Sequence, residues 1–348
     1  TFAYPIFIFT LFLLILVLIF GVKIKGATSW FQIAGFSLQP SEFANVGTAL
    51  ALSAYLSHYK TNLREFKYQI TALGIISAPI LLIMLQPDAG SALVFLSLMV
   101  LLFREGMPPG IYIIGLLALA LFITSLLFPF TEVVFGILAI GLFVIWGSLQ
   151  KIRYRWPVMA VLGVLTIVFI YMGWIMQGII ATSILSVALF IFHGLERNGR
   201  FMVTMLPAIA MSILFAFSAQ YVFNNVLKPH QQDRINVWLQ PEKCDPRGSL
   251  YNVLQSKVAI GSGGLQGKGY LQGTMTKLNY VPEQSTDFIF STIGEEQGFI
   301  GSFGIIGLFL MLILRIIWMG EKATNKLYRN FAYAVAGFLF IHTFVNIG

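Results

Sequence analysis

Cysteine is almost missing from this chain: Cys244 stands alone among 348 residues. That excludes an intramolecular disulfide framework and any multi-cysteine metal site. Four histidines leave little for a histidine cluster. Charge is also scarce, at 10%, where a soluble globular protein carries roughly 25%. An ordinary soluble domain, a disordered chain and a nucleic-acid binder with a broad basic face are therefore excluded. What fills the sequence is apolar: 57% hydrophobic residues and a mean hydropathy of +0.83. Such a chain is an all-α polytopic membrane protein, in contact with the lipid bilayer. It starts at Thr1 inside an apolar run and stops at Gly348 inside another, so it reads as a fragment.

A spanning helix needs about 20 apolar residues. Eleven stretches qualify: 4–22, 40–58, 67–86, 89–104, 109–128, 131–150, 156–175, 178–194, 200–226, 298–319 and 329–348. No strand-like alternation recurs, which excludes a membrane β-barrel. Basic residues collect in every second short loop. One side holds Lys60, Arg64, Lys67, Arg104, Lys151, Arg153, Arg155, Arg197, Arg200, Lys322, Lys326 and Arg329. The short loops of the other side hold only Lys23 and Lys25. By the positive-inside rule the first set is cytoplasmic. The long polar segment 227–297 is then extracytoplasmic, and a long loop on a rigid helical scaffold is where function is expected.

Three groups of residues in this sequence could carry chemistry. In the segment Pro282 to Phe290, Glu283 and Asp287 stand four apart and would share a face if helical. Phe288, Ile289 and Phe290 would press into the membrane interface, so a neighbouring carboxylate would be partly desolvated and fit to act as a base. The competing reading is an acid placed at a helix N-terminus behind Pro282. The segment Gln255 to Gly269 is a glycine-rich loop with Lys257 and Lys268. It is neither a Walker A loop nor a dinucleotide fingerprint, so no nucleotide cofactor is expected. Its amides and lysines could hold a diphosphate, or it could be a flexible hairpin on the headgroups. Glu42, in Gln39-Pro40-Ser41-Glu42, and Asp88, in Gln86-Pro87-Asp88, open two spans. Capping by Ser41 and Asp88 together with a structural polar pair is the favoured reading.

These motifs together resemble the shape, elongation, division and sporulation family of bacterial membrane proteins, the RodA/FtsW family. The resemblance rests on four blocks: Gly26-Ala27 with Trp30 and Gln39 to Glu42; Gln86 to Gly90; His230 to Arg234 through Tyr251 and Gln255-Ser256-Lys257 to Gly261–Gly264 and Gly267-Lys268-Gly269; and Pro282-Glu283 with Thr286 to Phe290, Gly294-Glu295-Glu296 and Gly298. The stretch Gln255 to Gly269 lies nearer the RodA branch. The resemblance implies family-like transmembrane helices over 1–105, extra transmembrane helices over 106–199, a helix over 200–226, a catalytic extracytoplasmic loop over 227–297 and closing transmembrane helices over 298–348. Seven of the eleven spans would be family-like and four extra.

The function implied is that of a peptidoglycan glycosyltransferase in cell-wall elongation. It would polymerise Lipid II at the outer face of the bacterial cytoplasmic membrane. Its donor would be a glycan on undecaprenyl diphosphate, and its partner a class B penicillin-binding protein. Asp287 matches the acid that the family treats as essential and would be the general base of an inverting transfer, with Glu283 beside it. The leaving diphosphate needs positive charge from Lys257, Lys268 or Arg234, or a bound Mg²⁺ or Mn²⁺ held by Asp287 or Glu283. Gln255, Ser256, Gly263 and Trp30 fall on the substrate side. The chain departs from the common pattern at Ser285, Asn45, Ser37 and Asn279, so Glu42 needs a partner other than the usual lysine. The rival classes are a lipid flippase or transporter and a non-catalytic scaffold. A transporter would place charges mid-span, where this sequence has almost none.

Overall fold

The computed structural model describes residues 2–24, 27–33, 36–148, 155–195, 199–227, 229–244, 249–278, 280–281 and 288–347. Helical residues lie within each of the eleven apolar stretches, the first of which ends in a strand at Val22. Among the described residues, six helices are long and apolar enough to cross a membrane: Ala3–Phe20, Phe66–Leu85, Pro109–Leu127, Thr204–Val226, Ile289–Lys322 and Lys326–Ile347. The chain divides into two compact units, Thr1–Tyr112 with Asn252–Gly348, and Ile113–Tyr251.

The first unit opens with α1 (Ala3–Phe20). Three short strands follow: β1 (Val22–Ile24), β2 (Ala27–Ile33) and β3 (Phe36–Leu38). They form an antiparallel meander in the order β1-β2-β3, with Val22 opposite Trp30 and Gln32 opposite Ser37. The sequence reading has only a loop here. β1 and β3 have only three residues each, too short to show a period of two, and the seven residues of β2, ATSWFQI, do not alternate strictly between apolar and polar.

Helices α2 (Pro40–Ser57) and α3 (Phe66–Leu85) come next, then α4 (Ala89–Val94), a 3₁₀ turn and α5 (Leu98–Arg104). Helix α2 is the packing centre. It lies against α1, α3 and α15 (Lys326–Ile347), and its buried face is made of small residues such as Ala44, Thr48, Ala51 and Ser53. Small side chains let helix backbones approach closely within a bilayer. Helix α2 also carries Glu42, Asn45 and several serines, and it is not among the six. The core continues through Leu14, Leu52, Ile83, Phe95 and Leu98, and Phe95 meets Phe338 edge to face. At one end of α5, Arg104 pairs with Glu105 and Glu321 and lies over the ring of Tyr333.

Helix α6 (Pro109–Leu127) leads into the second unit. There α7 (Phe130–Ser148) packs on α8 (Arg155–Tyr171), α9 (Ile175–Leu195) and α10 (Gly199–Tyr221), with Phe135 buried. A π-helical turn (Val222–Val226), α11 (Pro229–Leu239) and a 3₁₀ turn follow. Glutamine amides serve the carbonyls that helix ends leave open. Gln220 Nε2 donates to Ser125 O at 2.6 Å and Phe128 O at 3.0 Å, and Gln240 Nε2 donates to Leu127 O at 3.2 Å.

Most of the described residues of 227–297 are helical. Besides α11 this segment holds α12 (Ser249–Ser262), α13 (Thr274–Lys277) and the first turns of α14 (Ile289–Lys322). Helix α14 starts nine residues ahead of the expected span at 298 and is broken at Gly298, where φ is 63° and ψ −161°.

Candidate functional site: a glycine loop set into a broken helix

The break in α14 is a property of Gly298. Its backbone lies in a region open essentially to glycine alone. In an uninterrupted helix the N–H groups of Phe299 and Ile300 would donate to the carbonyls of Glu295 and Glu296. Here all four groups bond to another segment. Phe299 N–H donates to Gly264 O at 2.9 Å, and Ile300 N–H to Leu265 O at 3.1 Å. The carbonyl of Glu295 accepts from Lys268 N–H at 3.0 Å, and that of Glu296 from Gly269 N–H at 2.9 Å. The loop after α12 is thus threaded into the hydrogen-bond ladder of α14. Buried backbone groups must be partnered, and the exchange leaves none of these four open.

Close approach of the two backbones requires residues without side chains. Gly267 has φ +80°, and a Cβ there would collide with the Glu296 carbonyl. Gly263 is buried directly against the Gly294 carbonyl in the same way.

Beneath the loop lies Glu295, which is fully buried. Lys268 Nζ donates to its Oε1 at 2.7 Å and also to Thr274 Oγ1 at 2.9 Å. The backbone N–H of Met275 reaches Oε1 at 2.9 Å, and that of Thr276 reaches Oε2 at 3.0 Å. A buried carboxylate is tolerable only when paired and hydrogen-bonded, and this one takes an ammonium and the first amides of α13. Spacing along the chain does not single out Glu295. The one signal available is its place in the Gly294-Glu295-Glu296 block.

The expected site residues distribute as follows. Asp287 and Glu283, with Ser285 and Asn279, lie outside the described residues. Gln255, Ser256 and Lys257 stand on α12, not in a loop, with Lys257 exposed. The glycine segment proper is therefore 263–273, and it is docked, not a free hairpin. Lys268 is turned into Glu295, with 27% of its side chain exposed. Trp30 is half-buried on β2. Arg234 is exposed on α11, in the second unit. A cavity of about 380 Å³ in that unit is lined by residues that include Gln220, Asn224, Asn236 and Gln240, and it contains none of the expected site residues.

The two acids at the span boundaries do not pair with each other. Asp88 caps α4, accepting from Ser91 N–H at 3.2 Å and Ser91 Oγ at 2.9 Å, and it also takes Gln39 Nε2 at 3.2 Å. Glu42 accepts from Asn45 Nδ2 at 3.4 Å, so the residue standing where the family often has lysine is its partner. Ser41 does not cap α2. The cap position is Gln39, Pro40 takes the first helical position, and Ser41 lies inside the helix, bonded to Ser91. Gln86 is fully buried, and its side chain reaches Leu14 O at 3.1 Å while its carbonyl accepts from Thr28 N–H at 3.2 Å. The first two motif blocks therefore join α1, β2, α2 and α4.

Among the described residues no three His, Cys, Asp or Glu side chains converge on a metal-sized site. The fully buried carboxylate of Glu295 is already saturated by its donors. Cys244 is buried, and burial together with Asp233 and Glu242 pushes its thiol up.

A family profile described as "Cell cycle protein", that of FtsW, RodA and SpoVE, matches residues 1–136 and 148–348. The two matched segments reach into 106–199 from both sides. The peptidoglycan glycosyltransferase RodA of Treponema pallidum (strain Nichols) is 31% identical over 347 residues, which is 98% of this chain and 73% of that protein. The peptidoglycan glycosyltransferase MrdB of Escherichia coli (strain K12) is 28% identical over 343 residues, with 99% of this chain and 66% of that protein covered. The chain thus spans about two thirds to three quarters of the length of these relatives. A chain solved in work on structural coordination of polymerization and crosslinking by a peptidoglycan synthase complex superposes with a TM-score of 0.57 at 27% identity. That match covers all of this chain and 69% of the other. Together with the apolar helices, these matches establish that the chain is a multi-pass membrane protein belonging to the FtsW/RodA/SpoVE family of cell cycle proteins.

Proposed function

We propose that this chain carries the catalytic part of a peptidoglycan glycosyltransferase, which polymerises Lipid II at the outer face of the bacterial cytoplasmic membrane. The observation that carries the reading is the family match over nearly the whole chain, with relatives named for that activity. The neighbour from a peptidoglycan synthase complex supports a class B penicillin-binding protein as partner. The alternation of basic loops supports an extracytoplasmic position for 227–297.

In this reading Asp287 is the general base. It takes the proton of the Lipid II 4-hydroxyl as that oxygen attacks the anomeric carbon of the growing strand. The bond from that carbon to the undecaprenyl diphosphate breaks, and the diphosphate leaves with the bonding pair. One displacement inverts the carbon, so no covalent sugar intermediate is needed. A positioned base contributes typically about 10²–10⁴-fold. Lys257 is an exposed cation for the leaving diphosphate. Arg234 is the candidate of the second unit, and a divalent Mg²⁺ or Mn²⁺ is the alternative source of positive charge.

The test is polymerisation of Lipid II by the full-length protein with its penicillin-binding partner, for wild type and Asp287→Asn, with Mn²⁺ or with chelator. Long strands from wild type and none from the variant are expected. Absence of polymer from a folded wild-type complex would put the flippase and scaffold readings ahead. Equal polymer from Asp287→Asn would remove Asp287 from the role of base.

A further inference from the structure

The pocket of about 380 Å³ lies wholly within the second unit. The start of α7 supplies Phe130, the π-helical turn supplies Phe223 and Asn224, and α11 supplies Asn236, with Gln240 one turn further on the same face. A π-helical turn is rare and recurs at functional sites. Glutamine nitrogens hold the walls together. Gln220 donates to Ser125 O at 2.6 Å and Gln240 to Leu127 O at 3.2 Å, both at the end of α6, and Gln232 donates to Phe223 O at 2.6 Å in the π turn. Spending the nitrogens on the walls leaves the amide oxygens of Gln220 and Gln240 to accept from a ligand. The side chains of Asn224 and Asn236 make no hydrogen bond to the other described residues, and both line the pocket. Asn236 and Gln240 belong to 227–297, so the pocket lies on the face that the alternation of basic loops makes extracytoplasmic.

The lining selects the chemistry of the occupant. No Asp or Glu lines the pocket, so a metal ion or an ammonium finds no counter-charge there. Lys243 is the one cation of the lining, and a diphosphate calls for more than one. Four amide side chains beside two half-buried phenylalanines suit a neutral ligand rich in hydroxyl and amide groups with one apolar face. An N-acetylated sugar is such a ligand: its hydroxyls donate and accept, its acetamido group pairs with a side-chain amide, and the C–H face of its ring packs on an aromatic. The volume lies within the range of ligand pockets, about 300–1,000 Å³. We propose, resting on the glycosyltransferase reading above, that this pocket is a saccharide subsite. Asn224, Asn236 and Gln240 hydrogen-bond an N-acetylhexosamine unit of the glycan, and Phe130 and Phe223 pack against its ring. The subsite binds the strand and does no chemistry on it.

The experiment titrates the full-length protein with N-acetylated chitotetraose, with cellotetraose, which lacks the acetamido groups, and with a short acidic peptide. Affinity is measured for wild type, Asn224→Ala and Asn236→Ala, and backbone amide exchange locates the contact. Chitotetraose should slow exchange in the π turn and α11 of the wild type. Each alanine should weaken its binding about tenfold, as for the loss of a bidentate amide contact. The same variants, with the penicillin-binding partner and Lipid II, should make shorter strands than wild type. Both asparagine side chains bond nothing else among the described residues, so the melting temperature should hold, and the wild-type titration needs no variant at all. Absence of slowed exchange in the π turn and α11 of the wild type would overturn the proposal. Equal affinity in wild type and both variants would overturn it too. Equal binding of cellotetraose would remove the acetamido group from recognition, and protection by the peptide alone would give the pocket to a peptide; either result overturns the assignment. The two readings fail separately: a wild type that makes no polymer refutes the glycosyltransferase, whereas a wild type that polymerises without chitotetraose reaching this pocket refutes the subsite.

Discussion

Lys268 bonds Glu295 twice, through its ammonium at 2.7 Å from the carboxylate and through its backbone N–H at 3.0 Å from the carbonyl of the same residue. The two residues lie 27 positions apart and join a loop to a helix. The side-chain bond neutralises a buried charge, and the backbone bond repairs a ladder that Gly298 interrupts. Local strain and local charge are thus resolved by one contact.

Glu295→Ala should lower stability sharply. It leaves the Lys268 ammonium and two amides without their acceptor, and breaking a buried ion pair from one side costs about 3–5 kcal/mol. Lys268→Met should cost less, because Glu295 keeps the amides of Met275 and Thr276. Thermal unfolding in detergent ranks the two. An Ala variant as stable as wild type would show that the pair is not part of the fold's support.

Gly298→Ala combines a backbone penalty with a collision against Gly267, whose N–H region a Cβ would enter. Strain at such a φ costs of order 1–3 kcal/mol before the collision is counted. Gly304 lies on the same helix with nothing near an added Cβ, so Gly304→Ala should be neutral or slightly stabilising. Equal melting temperatures for the two variants would contradict the threaded-loop geometry.

Asp88→Ala removes a cap and the acceptor for Ser91 and Gln39. The expected loss is about 1 kcal/mol, as for other cap deletions, and Asp88→Asn should recover most of it because asparagine caps as well as aspartate. The check is the pair of melting curves, with activity measured alongside. A loss of activity in Asp88→Asn at unchanged stability would give Asp88 a chemical role.

Cys244 should label slowly with a thiol reagent at neutral pH. The thiolate is the reactive form, and burial with two nearby acids raises the pKa of this thiol, so less of it is ionised at a given pH. The labelling rate should climb with pH to values above those at which an exposed cysteine has already levelled off. Full labelling within seconds at pH 7, without denaturant, would contradict the buried position.

Much of the fold is legible without coordinates. Apolar runs of spanning length mark where helices form, because burial of backbone polar groups in lipid leaves little else possible. Asp88 reads as a cap from its place after Pro87 and before Ala89. Ser41 reads the same way and is not one, because Pro40 already occupies the first helical position and moves the cap to Gln39. The β meander is hidden because two of its strands have three residues and the seven of β2 do not alternate strictly. Gln255, Ser256 and Lys257 read as loop because glycines follow them, yet the helix runs through them to Ser262.

By itself, then, the sequence determines that this is a helical membrane chain, where its helices run, and which polar blocks set it in its family. Those are properties of composition along the chain, and hydropathy is summed locally. What the tertiary structure alone decides is who partners whom. Lys268 reads as a free cation and is given to Glu295. Glu42 lacks its usual lysine and takes Asn45. The glycines of 263–269 read as flexibility and serve instead to admit the backbone of α14. A hydrogen bond is directional and depends on positions that only the folded chain brings within 3 Å or so, so no pattern of spacing could assign these partners in advance.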